Sequence, residues 1–186
     1  MRDSIKKTAI EGLLIIERPT FADERGFFHE AFRLSELEEL GIDFHPVQLG
    51  HSLSKPGVIR AIHTEGWNKI VYPVSGKMFA AIVDVRPDSP TFAKYEEFIF
   101  DNTKEDSPHQ ALFLPKGMGN SICVIGDEPV HYVYAVDKYW DNAKAQGISW
   151  DDPDINIKWP VKNPIISERD RKNPRLRELF PEKFKK

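Results

Sequence analysis

The chain has 186 residues, 40% hydrophobic and 30% charged, with a formal net charge of −3 at pH 7. That length suits one domain, expected over 1–186, and allows about two-thirds of the unfolded surface to be buried. The mild acidity excludes the basic stripe that nucleic acid requires, and the single cysteine, Cys123, excludes an internal disulfide framework and makes a reducing cytoplasm the expected compartment.

The first apolar run, Leu13-Leu14-Ile15-Ile16, is too short for a signal peptide or a membrane span, so no membrane partner is expected. It reads as a strand over 13–17. Further short runs rich in β-branched and aromatic residues follow at 27–32, 58–63, 69–74, 78–86, 95–100, 111–114, 122–125 and 130–138. Turn signals separate them: Lys55-Pro56-Gly57, Ser75-Gly76, Arg86-Pro87-Asp88-Ser89-Pro90, Pro115-Lys116-Gly117 and Gly126-Asp127-Glu128-Pro129. Many short strands at this spacing predict an all-β sandwich or barrel. Helix signals are few. Ser35 to Leu40, stopped by Gly41, predicts a short helix, and Ser167 to Asp170 and Pro174 to Leu179 predict single turns. The charged tail, 181–186, is expected to fray.

Small barrels that open at one end form pockets lined by alternate residues of each strand. Along the run from Val130 to Trp140 the even positions include Tyr132, Tyr134 and Trp140, which share a face if the strand is regular. These tyrosines read either as core residues with hydroxyls at the rim or as proton donors. His63, closing Gly57-Val58-Ile59-Arg60-Ala61-Ile62-His63, reads either as a structural histidine or as a base. Strict alternation puts Arg60 and His63 on opposite faces, so both reach one pocket only across a bulge or a strand end. Lys69 reads as a solvated strand end or a pocket cation. Arg25, in Asp23-Glu24-Arg25-Gly26, reads as a turn residue or an anion ligand.

A metal-binding barrel needs three or four good ligands. His63-Thr64-Glu65 supplies one histidine, and Asn120 stands where a last ligand would follow the Pro115-Lys116-Gly117 turn. The pocket is therefore read as metal-free. Neither a Gly-x-Gly-x-x-Gly strand–helix turn nor a Gly-x-x-x-x-Gly-Lys-Ser/Thr run is present, so any nucleotide must be held by side chains.

Taken in order, the segments resemble the dTDP-4-dehydrorhamnose 3,5-epimerase family. The resemblance rests on Asp23-Glu24-Arg25-Gly26-Phe27-Phe28, Val47-Gln48, Ser52-Leu53-Ser54, Gly57 to His63, Lys69-Ile70-Val71 and Val83-Asp84-Val85-Arg86-Pro87. It continues through Tyr134 to Trp140, Ser149-Trp150-Asp151-Asp152-Pro153, Lys158-Trp159-Pro160 and Ile166-Ser167-Glu168-Arg169-Asp170. It implies a cupin-like jelly-roll barrel with a few peripheral helices. It also implies a homodimer and no cofactor. The implied reaction inverts C3, C5 or both in a 4-keto sugar, with a dTDP-4-keto-6-deoxyhexose as substrate. His63 would be the base, Asp170 its partner and Tyr134 the acid. Arg60 and Lys69 would lie by the sugar oxygens, with Asn120 at a turn beside the pocket. Arg25, Glu30, Gln48 and Arg169 would hold the nucleotide, and Trp140 would stack on its base. Arg25 or Glu30 would serve the neighbouring subunit's site if N-terminal strand material crosses over.

The sequence departs from the family pattern at Ala61-Ile62, at Gln48-Leu49-Gly50 and at Asn120-Ser121-Ile122. The last departure looks like branches that act on other deoxysugars or on one carbon only. A 3,4-ketoisomerase and a non-catalytic sugar-binding barrel are the other readings.

Overall fold

The computed structural model of the chain describes residues 4–104, 107–141 and 146–185. Its strands are β1 (Ile5–Lys7), β2 (Leu14–Glu17), β3 (Thr20–Asp23), β4 (Gly26–His29), β5 (Gln48–Ser54), β6 (Ile59–Thr64), β7 (Lys69–Asp84), β8 (Tyr95–Asn102), β9 (Gln110–Leu114), β10 (Met118–Val124), β11 (Val130–Val136) and β12 (Gln146–Gly147). Among the described residues there are also three short α-helices, α1 (Leu34–Glu38), α2 (Glu168–Arg171) and α3 (Leu176–Leu179).

Two antiparallel sheets share β7. One runs β1-β2-β9-β7-β11-β5, and the other runs β8-β7-β10-β6-β12. The β3–β4 hairpin stands apart as its own two-stranded ribbon. This is the all-β barrel that the strand spacing predicts.

The long β7 corrects one expectation. Ser75-Gly76 reads in sequence as a turn between two strands, but the structure carries the chain through it as one strand of 16 residues. Gly76 has φ +83, and its partners change there. Before it β7 pairs with β9 and β11, and after it with β8 and β10. The glycine bends a strand between sheets rather than ending it. At its far end, Asp84 is fully buried. It accepts hydrogen bonds from Arg86 Nε (2.8 Å), Ser89 Oγ (2.6 Å) and Thr91 Oγ1 (2.6 Å), which orders the turn over 86–91.

Packing follows from which faces are apolar. One cluster joins both sheets through residues such as Val71, Met78, Ile82, Leu112, Ile122 and Val130. A second packs Ile59, Ile62, Phe79 and Cys123 against the C-terminal segment through Ile148, Ile157, Ile166 and Leu176. A third places Leu37 of α1 and Phe44 over Ile16, Ile70 and Phe113. Burial raises the Cys123 thiol to about 11, which makes it an inert apolar residue.

The charged tail carries a turn and ring contacts over its described part. Pro181–Lys183 form a 3-10 turn, and the Phe184 ring lies 6.5 Å from Phe92 and 5.3 Å from the Arg177 guanidinium. Its charges dominate the sequence pattern, but Phe180 and Phe184 supply the apolar anchor. Lys186 lies outside the described residues.

Candidate active site

The barrel opens at one end into a cavity of about 450 Å³, lined from both sheets. Gln48 and Ser52 come from β5, and Tyr132 and Tyr134 from β11. Arg60 and His63 come from β6, Asn120 and Ile122 from β10. Lys69 opens β7, Glu65 follows β6, and Trp140 and Arg169 come from loop and helix.

The bulge that Arg60 and His63 require is present. Asn120 pairs with His63 but Ile122 pairs with Arg60, so two steps on β10 span three on β6. The extra residue turns both side chains into the cavity. Arg60 is held there by Nε–H to Ser54 Oγ (2.8 Å) and a second guanidinium N–H to Leu53 O (3.1 Å).

His63 Nε2 lies 2.8 Å from Asp170 Oδ1. The chain places this carboxylate through the segment that follows Ile165. Ile165 bridges to Val58 beside β6, and Ser167 caps α2 by accepting from the Asp170 N–H at 3.1 Å. Asp170 is only 3% exposed. Burial alone would raise its carboxyl. The His63 hydrogen bond and charge, the Ala61 N–H and the Ser167 hydroxyl overcome this and hold it below the ordinary carboxylate range. An ionised carboxylate only accepts, so Nε2 carries the hydrogen, and in a neutral ring the lone pair is then on Nδ1.

On the other sheet, Tyr134 meets the Lys69 ammonium, which lies 5.1 Å from its ring centroid. Lys69 also forms an ion pair with Glu65, both side chains being largely buried. Tyr132 donates to Asn120 Oδ1 at 3.2 Å, and burial pushes its phenol far above the ordinary value, so it stays neutral. Gln48 Oε1 accepts from the Trp140 N–H at 2.9 Å, tying the loop to the cavity rim.

Nine of the eleven sequence-derived site residues therefore meet at or beside one cavity: His63, Tyr134, Asp170, Gln48, Arg60, Lys69, Asn120, Trp140 and Arg169. Arg25 and Glu30 do not. Arg25 sits at the tip of the β3–β4 hairpin, paired with Asp23 at 2.6 Å, and Glu30 pairs with Arg18 and Arg33, each at 2.7 Å. The sequence reading gave no role to Glu65, a cavity carboxylate whose four-residue spacing to Lys69 is its one visible signal. It also missed β5 as a strand.

An oriented imidazole on one sheet and a phenol beside an ammonium on the other can remove a proton from carbon, stabilise the resulting oxyanion and return a proton from elsewhere. A cupin-like barrel with such a cavity has the groups of an enzyme that moves protons on and off carbon, the chemistry of an isomerase. The family model described as dTDP-4-dehydrorhamnose 3,5-epimerase matches residues 7–178, and the chain belongs to that family. It is 38% identical over 172 residues to a dTDP-4-dehydrorhamnose 3,5-epimerase of Shigella flexneri, covering 90% of this chain and 92% of the relative. A 4-keto-6-deoxy sugar epimerase from the novobiocin gene cluster of Streptomyces spheroides superposes with TM-score 0.89 at 30% identity, covering 96% of this chain and 90% of that one. A dTDP-6-deoxy-D-glucose-3,5-epimerase from Legionella pneumophila, solved with dTDP-4-keto-L-rhamnose, gives 0.86 at 31% identity, covering 96% and 95%.

Proposed function

We propose that this enzyme inverts C3, C5 or both in a dTDP-4-keto-6-deoxyhexose, with His63 as base and Tyr134 as acid. The observation that carries the reading is the pairing of His63 with the buried Asp170 in a cavity whose other sheet contributes Tyr134 and Lys69.

The 4-keto group acidifies the neighbouring C–H bonds. His63 Nδ1 takes the proton, the C–H electron pair becomes a C–C π bond, and the carbonyl pair moves onto oxygen. Lys69 and Arg60 supply positive charge near that enolate. The Tyr134 O–H then gives its proton to the carbon from the opposite face as the enolate returns to the ketone; the phenolate is reprotonated from solvent, and the His63 imidazolium releases its proton to solvent. Asp170 stabilises the imidazolium that forms after abstraction. Positioned acid–base groups of this kind are worth about 10²–10⁴-fold each. Arg169 and Gln48 are assigned to the nucleotide, and Trp140 to stacking on its base.

The reading includes a homodimer. Among the described residues, strand β5 is paired on one side only, by β11, and it turns its polar face inward and its apolar face out. Leu49 is 71% exposed, and Phe28 on the β3–β4 hairpin is 63% exposed. A second copy covering these surfaces would bring Arg25 or Glu30 to the neighbouring cavity. No described helix is long and apolar enough to cross a membrane, and a cytoplasmic location belongs to the same reading.

The test is NMR of products from dTDP-4-keto-6-deoxyglucose in D₂O. Deuterium with inversion at C3, C5 or both is expected and assigns the regiochemistry. Movement of the keto group to C3, or no change in any nucleotide ketosugar tried, overturns the reading in favour of a ketoisomerase or a binding barrel. An Asn120→His variant run alongside is expected to shift the ratio of C3 to C5 inversion. The basis is that Asn120 holds Tyr132 at the cavity wall.

A further inference from the structure

Lys69, the first residue of β7, pairs with Val136 at the end of β11 and with Leu114 at the end of β9. Just past those pairs Asn68 and Asp137 close on each other. The Asn68 N–H donates to Asp137 Oδ1 at 3.0 Å, and its side-chain Nδ2–H donates to Oδ2 at 2.7 Å. The Asp137 N–H returns a bond to the Asn68 carbonyl at 3.3 Å. Asn68 Oδ1 accepts from the Lys116 N–H at 3.0 Å, the first N–H available after Pro115. A carboxylate that only accepts and a backbone N–H that only donates fix the orientation of the amide between them. Asn68 thus ties together the ends of three neighbouring strands, and neither it nor Asp137 lines the cavity.

Both ends of this clamp lead into the site. On one side comes Lys69, whose ammonium faces the Tyr134 ring. On the other the chain runs from Asp137 to Trp140, whose N–H is held at the rim by Gln48. We propose that Asn68 and Asp137 are positioning residues, one clamp that seats both the ammonium beside the enolate and the aromatic rim that takes the nucleotide base. The inference rests on the roles given above to Lys69 and Trp140. A positioning group displaced by an ångström or so costs up to about 10²-fold. Loss of the clamp therefore weakens nucleotide binding and slows the chemistry together, although neither residue meets the substrate.

The experiment uses the matching shapes of the two side chains. Asn68→Asp sets two carboxylates face to face, and Asp137→Asn sets two amides face to face. The double exchange, Asn68→Asp with Asp137→Asn, restores a donor opposite each acceptor at unchanged net charge. Each is compared with wild type for dTDP affinity by calorimetry and for kcat on dTDP-4-keto-6-deoxyglucose, with thermal melting alongside. Either single variant is expected to lose about tenfold in both, and the double variant to return to within about threefold of wild type. Asn68→Ala, which leaves the backbone bonds in place, is the second variant should facing carboxylates yield no folded protein, and it is expected to lose affinity and kcat together.

A lowered melting temperature with affinity and kcat unchanged overturns the proposal, because it marks a bond that serves stability alone. Opposite shifts in dTDP affinity between the two single variants overturn it too, since they report charge rather than the clamp. So does a folded double variant that recovers neither quantity. Loss of affinity with kcat intact, or the reverse, overturns the joint seating. A wild type that binds no dTDP overturns the nucleotide reading on which the inference rests.

Discussion

At the scale of residues, the base is oriented by a buried carboxylate. Asp170 stays ionised because His63, the Ala61 N–H and the Ser167 hydroxyl outweigh its burial. Asp170→Asn removes the acceptor-only partner that fixes the Nε2–H tautomer. Steady-state kinetics are expected to show kcat reduced by about 10²-fold or more, with KM little changed. A fall in KM-linked binding with kcat intact would mean that Asp170 serves the substrate rather than the imidazole. The pH dependence follows from the same lowered value. Stability contributed by the ionised carboxylate is fully present above the ordinary carboxylate range and is lost as pH falls through the depressed pKa. His63 and Tyr134 are plain in the sequence as residue types, yet their roles were ambiguous there. Partnership across 107 positions, as between His63 and Asp170, leaves no local periodicity.

At the scale of elements, most strands of the barrel were legible, and β5, which lines the cavity, was not. Alternation in β5 is inverted: Gln48, Gly50 and Ser52 face in, while Leu49, His51 and Leu53 face out. A strand that lines a polar cavity and carries its apolar face outward looks, by pattern, like a loop. The bulge in β6 was anticipated as a condition, because Arg60 and His63 cannot otherwise share a pocket. The bend in β7 was misread because Gly76 marks both turns and bends.

Asp84, at the end of β7, gives the element scale its own test. Burial would raise its carboxyl, but the bonds from Arg86, Ser89 and Thr91 bring it down to about 2. Its contribution is therefore present above pH 3.8, the ordinary value, and is lost as pH falls toward 2. Asp84→Asn leaves the half-buried Arg86 without its partner. Urea titration at neutral pH is expected to show a loss of about 3 kcal/mol, with the difference from wild type narrowing in acid. An unchanged midpoint would show that the turn over 86–91 is held by other contacts.

At the scale of the whole molecule, nine site residues converge in one chain, while Arg25 at the hairpin tip and Glu30 just beyond β4 stand apart, and the proposed homodimer is what would give them a role. Light scattering is expected to report a dimer, and Leu49→Lys with Phe28→Asp a monomer. Mixing two impaired variants, Arg25→Ala and His63→Ala, is expected to recover activity, because a mixed dimer then contains one site with both residues intact. No recovery after confirmed subunit exchange would place Arg25 outside the neighbour's site.

The central claim is that His63 is the base. The direct measurement is deuterium incorporation from D₂O into dTDP-4-keto-6-deoxyglucose by His63→Ala beside wild type, with folding verified by thermal melting. The account expects deuterium at C3, C5 or both with wild type, and none above the uncatalysed background with the variant. Incorporation by His63→Ala at the wild-type rate would contradict it.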